Sequence, residues 1–114
     1  MHVIRYPDAI PYEAPGHHNM TMLRLQGREA GPSETMWLGM SHLAPGARIE
    51  ASSAPEERFY LVLEGEIEVS NGVETCVLGK WDTCRIGPNE TRMVRNTTQS
   101  PAVTVLAMAQ PQKR

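Results

Sequence analysis

The sequence predicts an all-β domain built as a sandwich or barrel of short strands. Nine glycines and nine prolines in 114 residues interrupt the chain every few positions, which leaves segments that are mostly too short for helices. The apolar segments between these interruptions are rich in β-branched and bulky side chains, as strands are. They recur at a spacing of roughly 8–12 residues, which is typical of all-β sandwiches and barrels.

Eight segments are predicted to be strands, and the turns between them carry their own signals. The strands are expected at residues 20–26, 35–43, 59–63, 67–70, 75–78, 83–86, 91–95 and 102–108. Asn71-Gly72 predicts a hairpin, because Asn-Gly is the preferred pair where both turn residues need a positive φ. Pro45-Gly46 and Gly87-Pro88 predict two further turns.

The length and the two ends of the chain define the predicted domain organisation. A chain of 114 residues corresponds to a single domain, which must be closed or oligomeric to bury a sufficient core. Residues 1–19 contain three prolines and are expected to form an extended arm over the barrel or over a neighbouring subunit. Residues 20–110 form the predicted barrel, and residues 111–114 are expected to be a frayed tail.

The charge and composition of the chain argue against nucleic acid and membranes as partners. Eleven Lys and Arg residues against 13 Asp and Glu residues give a formal net charge of −2, so no overall cationic field attracts nucleic acid or anionic lipid. One Phe, two Trp and three Tyr provide few platforms for base stacking. No apolar run is long enough for a membrane span, and the first residues are too polar for a signal peptide. We therefore expect a cytoplasmic protein.

Two stretches carry a resemblance to a known family. PGARIEASSAPEERFYLVLEGE, residues 45–66, resembles the first signature of the cupin family, with Gly46 and Gly65 at its two glycine positions. LGKWDTCRIGPNETRMVRN, residues 78–96, resembles the second. The resemblance implies a single-domain antiparallel β-barrel of the jelly-roll type. It also implies a homodimer, in which the N-terminal arm is the expected cross-subunit strand.

The second signature is anchored by Asp82 and Asn96 but departs from the family pattern elsewhere. Trp81 stands at its first glycine position and Asn89 at its second. Asn tolerates a positive φ better than other non-glycine residues, so the second change is structurally mild. Trp81 leaves the conformation of its turn open.

The resemblance also identifies the positions where the family keeps its metal. Cupins bind a divalent ion through two His and a Glu of the first signature and a His of the second. The corresponding residues here are Ser52, Ala54, Arg58 and Arg92. Ala has no donor atom, neutral Ser is a weak ligand, and Arg keeps its proton, so these four cannot replace the family's ligands. We predict that the usual metal is absent and that no cofactor is needed.

Arg58 and Arg92 are the main candidates for a binding site. If they point inward, as the family's ligands do, two guanidinium groups meet in a dehydrated cavity and require negative charge. One hypothesis is an anionic small molecule, a carboxylate, phosphate or enolate, held by both. Tyr60 shares their inward direction and supplies a hydroxyl.

The alternative hypothesis is that the protein itself satisfies both arginines. Each could pair with a nearby glutamate or extend along its stem to the barrel mouth. The candidate glutamates are Glu50, Glu56, Glu57, Glu64 and Glu90. Tyr60 would then be an ordinary core residue with a satisfied hydroxyl.

The histidines suggest a second kind of site. His42 together with His17 or His18 and a glutamate could form a rearranged site for Zn, Fe, Mn or Ni. Such a site would indicate a metal-dependent oxygenase or hydrolase. The spacing is not one that the family uses.

Three functional hypotheses follow from the sequence. The first is a metal-free barrel that binds an anionic metabolite through Arg58, Arg92 and Tyr60, with isomerase or cyclase chemistry as one option. The second is the metal-dependent enzyme with the rearranged histidine site. The third is a structural or sensory barrel filled by its own side chains. Whether the protein is an enzyme stays open.

Overall fold

The computed structural model describes residues 1–111 and is built from antiparallel strands. Two 3₁₀ turns occupy Tyr6–Asp8 and Arg28–Ala30. The strands are β1 Ile10–Tyr12, β2 His17–Gln26, β3 Met36–Ser52, β4 Arg58–Glu64, β5 Ile67–Ser70, β6 Thr75–Leu78, β7 Thr83–Ile86, β8 Arg92–Arg95 and β9 Ala102–Ala109. The predicted all-β barrel is confirmed. Of the predicted frayed tail, residues 112–114 lie outside the described residues.

The long strand β3 organises the barrel because it pairs with three other strands. It pairs with β2 along most of its length, with β9 through Met36–Leu43, and with β8 from Arg48 onward. The order β6-β5-β8-β3-β9-β4-β7 follows, with β2 and β1 attached to β3 from the other side. Apart from the β5–β6 hairpin, neighbouring strands in this order are not consecutive in sequence, as in a jelly roll.

The prediction of a turn at Pro45-Gly46 is wrong, because β3 continues through this pair as a bulge. Residues 44–47 lie opposite the single residue Asn19 of β2, and Gly46 adopts a φ of 84°. The Asn96 carbonyl accepts a hydrogen bond from Gly46 N–H at 3.0 Å, and Asn96 N–H donates to Ala47 O at 2.9 Å. The bulge bends β3 so that it can leave β9 and pair with β8.

The Asn71-Gly72 hairpin is confirmed, although its turn is made differently. β5 and β6 pair in register on either side of the turn, and Gly72 has the positive φ. Asn71 keeps a negative φ, and its side-chain carbonyl accepts hydrogen bonds from the N–H groups of Val73 and Glu74 at 2.9 and 2.8 Å. The loop is therefore fixed by a side-chain acceptor rather than by two residues of positive φ.

The N-terminal segment differs from the extended arm expected for residues 1–19. Ile10–Tyr12 pairs with Met22–Arg24 of the same chain, and β2 already begins at His17. Residues 10–19 thus form part of this chain's own barrel wall. One consequence is that Tyr12 lines the barrel interior.

The two departures in the second signature both adopt the left-handed backbone conformation. Asn89 has a φ of 63° and Trp81 a φ of 73°. Asn89 thus adopts a positive φ at the family's glycine position, as expected for a structurally mild change. Trp81 holds the same backbone conformation with a bulky side chain that is largely exposed, which is a strained arrangement.

Strand alternation separates a filled core from the rest of the barrel interior. On β4 the side chains of Arg58, Tyr60 and Val62 are buried while their neighbours are not, as the period of two predicts. The packed cluster contains Leu43, Ala47, Ile49, Tyr60, Val62, Ile67, Val69, Leu78, Ile86, Val94 and Ala102. Within residues 1–111, no helix is long and apolar enough to cross a membrane.

Candidate functional site

A cavity of about 190 Å³ lies inside the barrel beside the packed cluster. Four arginines line it, and they are Arg24, Arg28, Arg58 and Arg92. Two tyrosines, Trp37 and His17 contribute to the same wall, whereas no Asp or Glu of residues 1–111 does. At about 30 Å³ per water the space corresponds to about six water molecules, which suits one small ligand.

Arg58 and Arg92 both lie inside the barrel, as expected if they keep the direction of the family's ligands. Arg58 is 3% exposed and Arg92 is 6% exposed, and both line the cavity. Nε and Nη2 of Arg58 and Nε and Nη1 of Arg92 are buried without a hydrogen-bond partner. Burial lowers the pKa of Arg58, and the like charge of Arg92 lowers it further. The pair therefore leaves four buried donors unused.

Within residues 1–111, the glutamates considered as internal partners form no ion pair with Arg58 or Arg92. Three have other contacts: Glu50 pairs with His18, Glu57 with Arg85, and Glu90 with Asn71. Burial lowers the pKa of Arg58, and the charge of Glu56 opposes this without an ion pair. Among the described residues, neither Arg58 nor Arg92 has a carboxylate within ion-pair distance. Neither side chain reaches solvent, so extension to the barrel mouth does not satisfy them.

Tyr60 is buried between strands β9 and β7 and faces the same cavity. Its burial raises the pKa of the phenol, an effect that the nearby Arg92 and Arg58 guanidinium groups reduce. A contact with the Arg92 side chain also lowers this pKa. The phenol stays protonated at neutral pH and can donate a hydrogen bond or a proton to a ligand.

Arg24 is a third buried arginine in the cavity, which the sequence interpretation missed. Its guanidinium carbon lies 3.5 Å from the ring centre of Tyr12 and 4.3 Å from that of Trp37. Its Nε donates to Glu29 at 2.9 Å, and this bond lowers the pKa of the Glu29 carboxyl. The signal was present in the strand pattern, because Arg24 shares inward parity with the buried Met22.

Gly39 makes room for the aromatic side of the cavity. A Cβ at this position would lie 2.8 Å from the Trp37 ring and 3.3 Å from the Tyr12 hydroxyl. The two rings meet edge to face, with centres 6.0 Å apart. A side chain at residue 39 would displace one of the rings that hold Arg24.

The three histidines of the rearranged-site hypothesis have separate environments. His17 lines the cavity, and its Nδ1 donates to the Pro15 carbonyl at 2.8 Å, while burial lowers its pKa. His18 pairs with Glu50 at 2.6 Å, and His42 accepts or donates a bond to the Tyr6 hydroxyl at 2.9 Å. In residues 1–111, no three His, Cys, Asp or Glu side chains are grouped so that they could hold a metal ion.

A family model described as a cupin domain matches residues 39–108, more than half of the chain. The chain belongs to the cupin family. This cupin is 40% identical over 112 residues to a protein of Mycobacterium tuberculosis (strain ATCC 25618 / H37Rv) named Beta-D-galactosidase Rv1717. The match covers 97% of this chain and 96% of that relative.

Solved structures agree on the fold at low sequence identity. One similar structure is that of the polyketide cyclase RemF from Streptomyces resistomycificus, with a TM-score of 0.84 and 15% identity. The match covers 100% of this cupin and 82% of the RemF chain. A predicted oxalate decarboxylase from Thermotoga maritima matches 96% of this cupin with 100% of its own chain, at a TM-score of 0.81 and 17% identity. At these identities the likeness concerns the barrel alone. As a family member, this protein is a small-molecule-binding cupin.

The residues at the cupin metal positions do not fit a metal ion. Ser52 is exposed and Ala54 is half-buried, and neither lines the cavity. Arg58 and Arg92 do line it, but a protonated guanidinium offers no lone pair to a cation and repels it. The charge of these two side chains favours an anion over a cation beside them.

Proposed function

We propose that this cupin binds a small anionic molecule in its barrel, with Arg58 and Arg92 as the charged contacts and Tyr60 beside them. The observation that carries this proposal is the set of four buried guanidinium nitrogens without partners. Buried charges are normally paired, because desolvating them alone costs several kcal/mol each, on the order of 5. A carboxylate or phosphate accepts several guanidinium hydrogen bonds at once and supplies the missing charge.

The charge around the cavity also favours an anionic occupant. Among the described residues, Arg24 is the one arginine of the four that is paired with a carboxylate, that of Glu29. The absence of acidic lining residues in the described chain leaves Arg58 and Arg92 uncompensated. A neutral ligand would leave both charges buried without an opposite charge.

We propose that this binding needs no metal ion. Arg58 and Arg92 occupy the places that would otherwise carry ligands, and their charge opposes a cation there. The test is elemental analysis of protein purified from medium supplemented with Zn, Fe, Mn and Ni. We expect no stoichiometric transition metal. One equivalent of metal that chelation removes together with ligand binding would overturn this part of the proposal.

The cavity also has the groups for acid–base chemistry on a bound anion, of the isomerase or cyclase type. Nδ1 of His17 holds the ring's proton against Pro15, which leaves Nε2 with a lone pair that can accept a proton. Tyr60 remains protonated and can return one. Arg58 and Arg92 would stabilise negative charge that develops on an enolate-like intermediate.

A second candidate function is hydrolysis of a β-D-galactoside, favoured by the 40% identity to the mycobacterial protein of that name. Glycosidases usually use two carboxyl groups about 5–10 Å apart. The barrel cavity has no acidic lining residue in the described chain, so hydrolysis here would have to use Tyr60 and His17 as proton donor and acceptor.

One experiment separates these functions. Thermal shift and calorimetry are run on purified protein with acetate, D-galacturonate, phosphate and D-galactose, and turnover is measured with p-nitrophenyl β-D-galactoside. The variants are Arg58→Met and Arg92→Met, and the control is Arg95→Met, because Arg95 is an exposed neighbour of Arg92 paired with Glu68.

We expect a carboxylate or phosphate to bind, and each cavity variant to weaken it by about 10- to 100-fold, since a charged hydrogen bond contributes about 1.5–3 kcal/mol. Arg95→Met should bind like the wild type. Binding of D-galactose as tight as that of D-galacturonate, unchanged in both cavity variants, would refute the anion site. Galactoside turnover that both cavity variants abolish would instead favour the second candidate.

The homodimer stays a proposal about the assembly of this cupin. A 114-residue barrel gains core by pairing, and the resemblance to small single-domain cupins implies a homodimer as well. Light scattering coupled to size-exclusion chromatography measures the mass in solution. A monomeric mass at micromolar concentration would refute the homodimer.

A further inference from the structure

Arg24 lies at a part of the cavity that differs in charge from the Arg58 and Arg92 pair. It is 8% exposed, and the faces of Tyr12 and Trp37 hold its guanidinium in place. Nε is occupied by Glu29, whereas Nη1 is buried, lacks a partner and belongs to a side chain that lines the cavity. The aromatic contacts and the ion pair fix this unused donor before any ligand arrives.

The Glu29 carboxylate changes what Nη1 can bind. It already balances the charge of Arg24, so a second carboxylate at this position would face a nearby negative charge. A neutral acceptor, such as a hydroxyl or ring oxygen, satisfies Nη1 without that repulsion. By contrast, Arg58 and Arg92 form no ion pair in the part of the chain that the structure describes, so an anion would supply the missing charge.

The strand register places the two kinds of donor on separate walls of the barrel. Arg24 lies opposite Gly39 on β3, Gly39 lies opposite Leu106 on β9, and Leu106 lies opposite Tyr60 on β4. Three strand spacings therefore separate Arg24 from Tyr60 along the sheet, about 14 Å at 4.7–4.9 Å each. One molecule that fills the cavity contacts both walls through different groups.

The wall between these donors is partly polar, because two hydroxyl-bearing residues lie beside apolar side chains such as Leu43 and Leu106. Ser41 and Thr104 lie opposite each other on β3 and β9, and both line the cavity with hydroxyl groups. At about 190 Å³ the cavity is smaller than the roughly 300–1,000 Å³ pockets that hold drug-sized ligands. The occupant is therefore small and anionic at one end, and it carries neutral oxygen atoms for Nη1 of Arg24 and these two hydroxyls elsewhere.

We propose that the ligand is a sugar acid, a polyhydroxylated carboxylate of monosaccharide size. Its carboxylate binds Arg58 and Arg92, and a hydroxyl or ring oxygen accepts a hydrogen bond from Nη1 of Arg24. This inference rests on the proposed anion site and adds the hydroxylated part of the ligand to it.

The test compares three probes of one ring size by calorimetry. D-galacturonate has the carboxylate and the hydroxyls, cyclohexanecarboxylate has only the carboxylate, and D-galactose has only the hydroxyls. They are titrated into the wild type, Arg24→Met, and Arg95→Met as the surface control. Arg24→Lys is added because it keeps a cation for Glu29 but lacks the second nitrogen, and it replaces Arg24→Met if that variant does not fold.

We expect the wild type to bind D-galacturonate about tenfold more tightly than cyclohexanecarboxylate, and D-galactose at least tenfold more weakly than D-galacturonate. Both Arg24 variants should bind D-galacturonate about tenfold more weakly than the wild type does, and cyclohexanecarboxylate with unchanged affinity. Equal affinities for the two carboxylates, or an Arg24 effect that is equal for both, would refute the sugar acid and leave the anion site standing. Failure of both carboxylates to bind would also refute the sugar acid, and failure of acetate and phosphate as well would refute the anion site itself.

Discussion

Replacing Arg58 by methionine should stabilise the ligand-free protein while it removes the anion site. Two nitrogens of this buried guanidinium have no partner, and each unsatisfied buried donor costs about 1–3 kcal/mol. Exchanging a buried charged group for an apolar one of similar size often stabilises a protein by about 1–4 kcal/mol. We therefore expect the free energy of unfolding to rise by about 2 kcal/mol.

The change in melting temperature follows from the size of the chain. Unfolding entropy is about 2.1 cal/mol/K per residue, which gives about 0.24 kcal/mol/K for 114 residues. A gain of about 2 kcal/mol then raises Tm by about 8 °C. Differential scanning calorimetry of dialysed, ligand-free protein measures it, and urea denaturation checks the free energy.

The control for Arg58→Met is Arg85→Met, which removes an exposed arginine paired with Glu57 at 2.5 Å. Exposed ion pairs contribute about 0–1 kcal/mol, so its Tm should fall by no more than about 4 °C. If Arg58→Met instead lowers Tm, and lowers the free energy of unfolding by the roughly 3–5 kcal/mol that breaking a buried pair costs, the protein itself satisfies this guanidinium. The argument for an anionic ligand would then lose its basis.

Three further predictions concern the barrel around the site. Gly39→Ala should lower the free energy of unfolding by about 1–3 kcal/mol, because its Cβ would lie 2.8 Å from the Trp37 ring. The control is Gly79→Ala, whose Cβ would meet only one atom, at 3.8 Å, and which should change the free energy of unfolding by less than about 0.5 kcal/mol in the same urea titration. Trp81→Gly should raise the free energy of unfolding by up to about 1 kcal/mol, because glycine adopts a φ of 73° without strain. Trp81→Ala keeps the strain and should not raise the free energy of unfolding. An equal gain in both variants would show that the indole ring, and not the backbone, is the source of the effect. Tyr60 should make the fold sensitive to alkali: burial raises its pKa, so the unfolded chain ionises first above about pH 10, and stability falls as pH rises from there through the folded pKa. Tyr60→Phe should show a smaller fall between pH 9 and about 11 in denaturation curves, and an unchanged slope would contradict the assignment.

Local sequence signals were sufficient for most of the strands. Gly65, Gly72, Gly79 and Gly87-Pro88 lie in the turns around β5, β6 and β7, and the predicted limits of those three strands agree with the structure. Pro45-Gly46 carries the same kind of signal but lies within β3. Its conformation is set by Asn96, fifty residues later in the chain, and a local turn rule contains no information about that partner.

In the candidate site too, some residues could be predicted from the sequence and others could not. Arg58, Arg92 and Tyr60 could be placed inside the barrel because the cupin signatures fix the register of β4 and β8. Tyr12 and Arg24 lie outside both signatures, and their positions depend on the pairing of β1 with β2. For Arg24, strand parity was a usable signal. For Tyr12 there was none, because three prolines suggested that its segment lies outside the barrel.

The packing of Trp37 against Arg24 gives this cupin a built-in optical reporter. The chain has two tryptophans, and they differ sharply in environment, since Trp37 is 6% exposed and Trp81 is 65% exposed. A Trp81→Phe variant would leave only the indole in the cavity wall to fluoresce. Any ligand that engages Nη1 of Arg24 changes the electric field at that indole, which makes emission wavelength and acrylamide quenching direct measures of occupancy without a label.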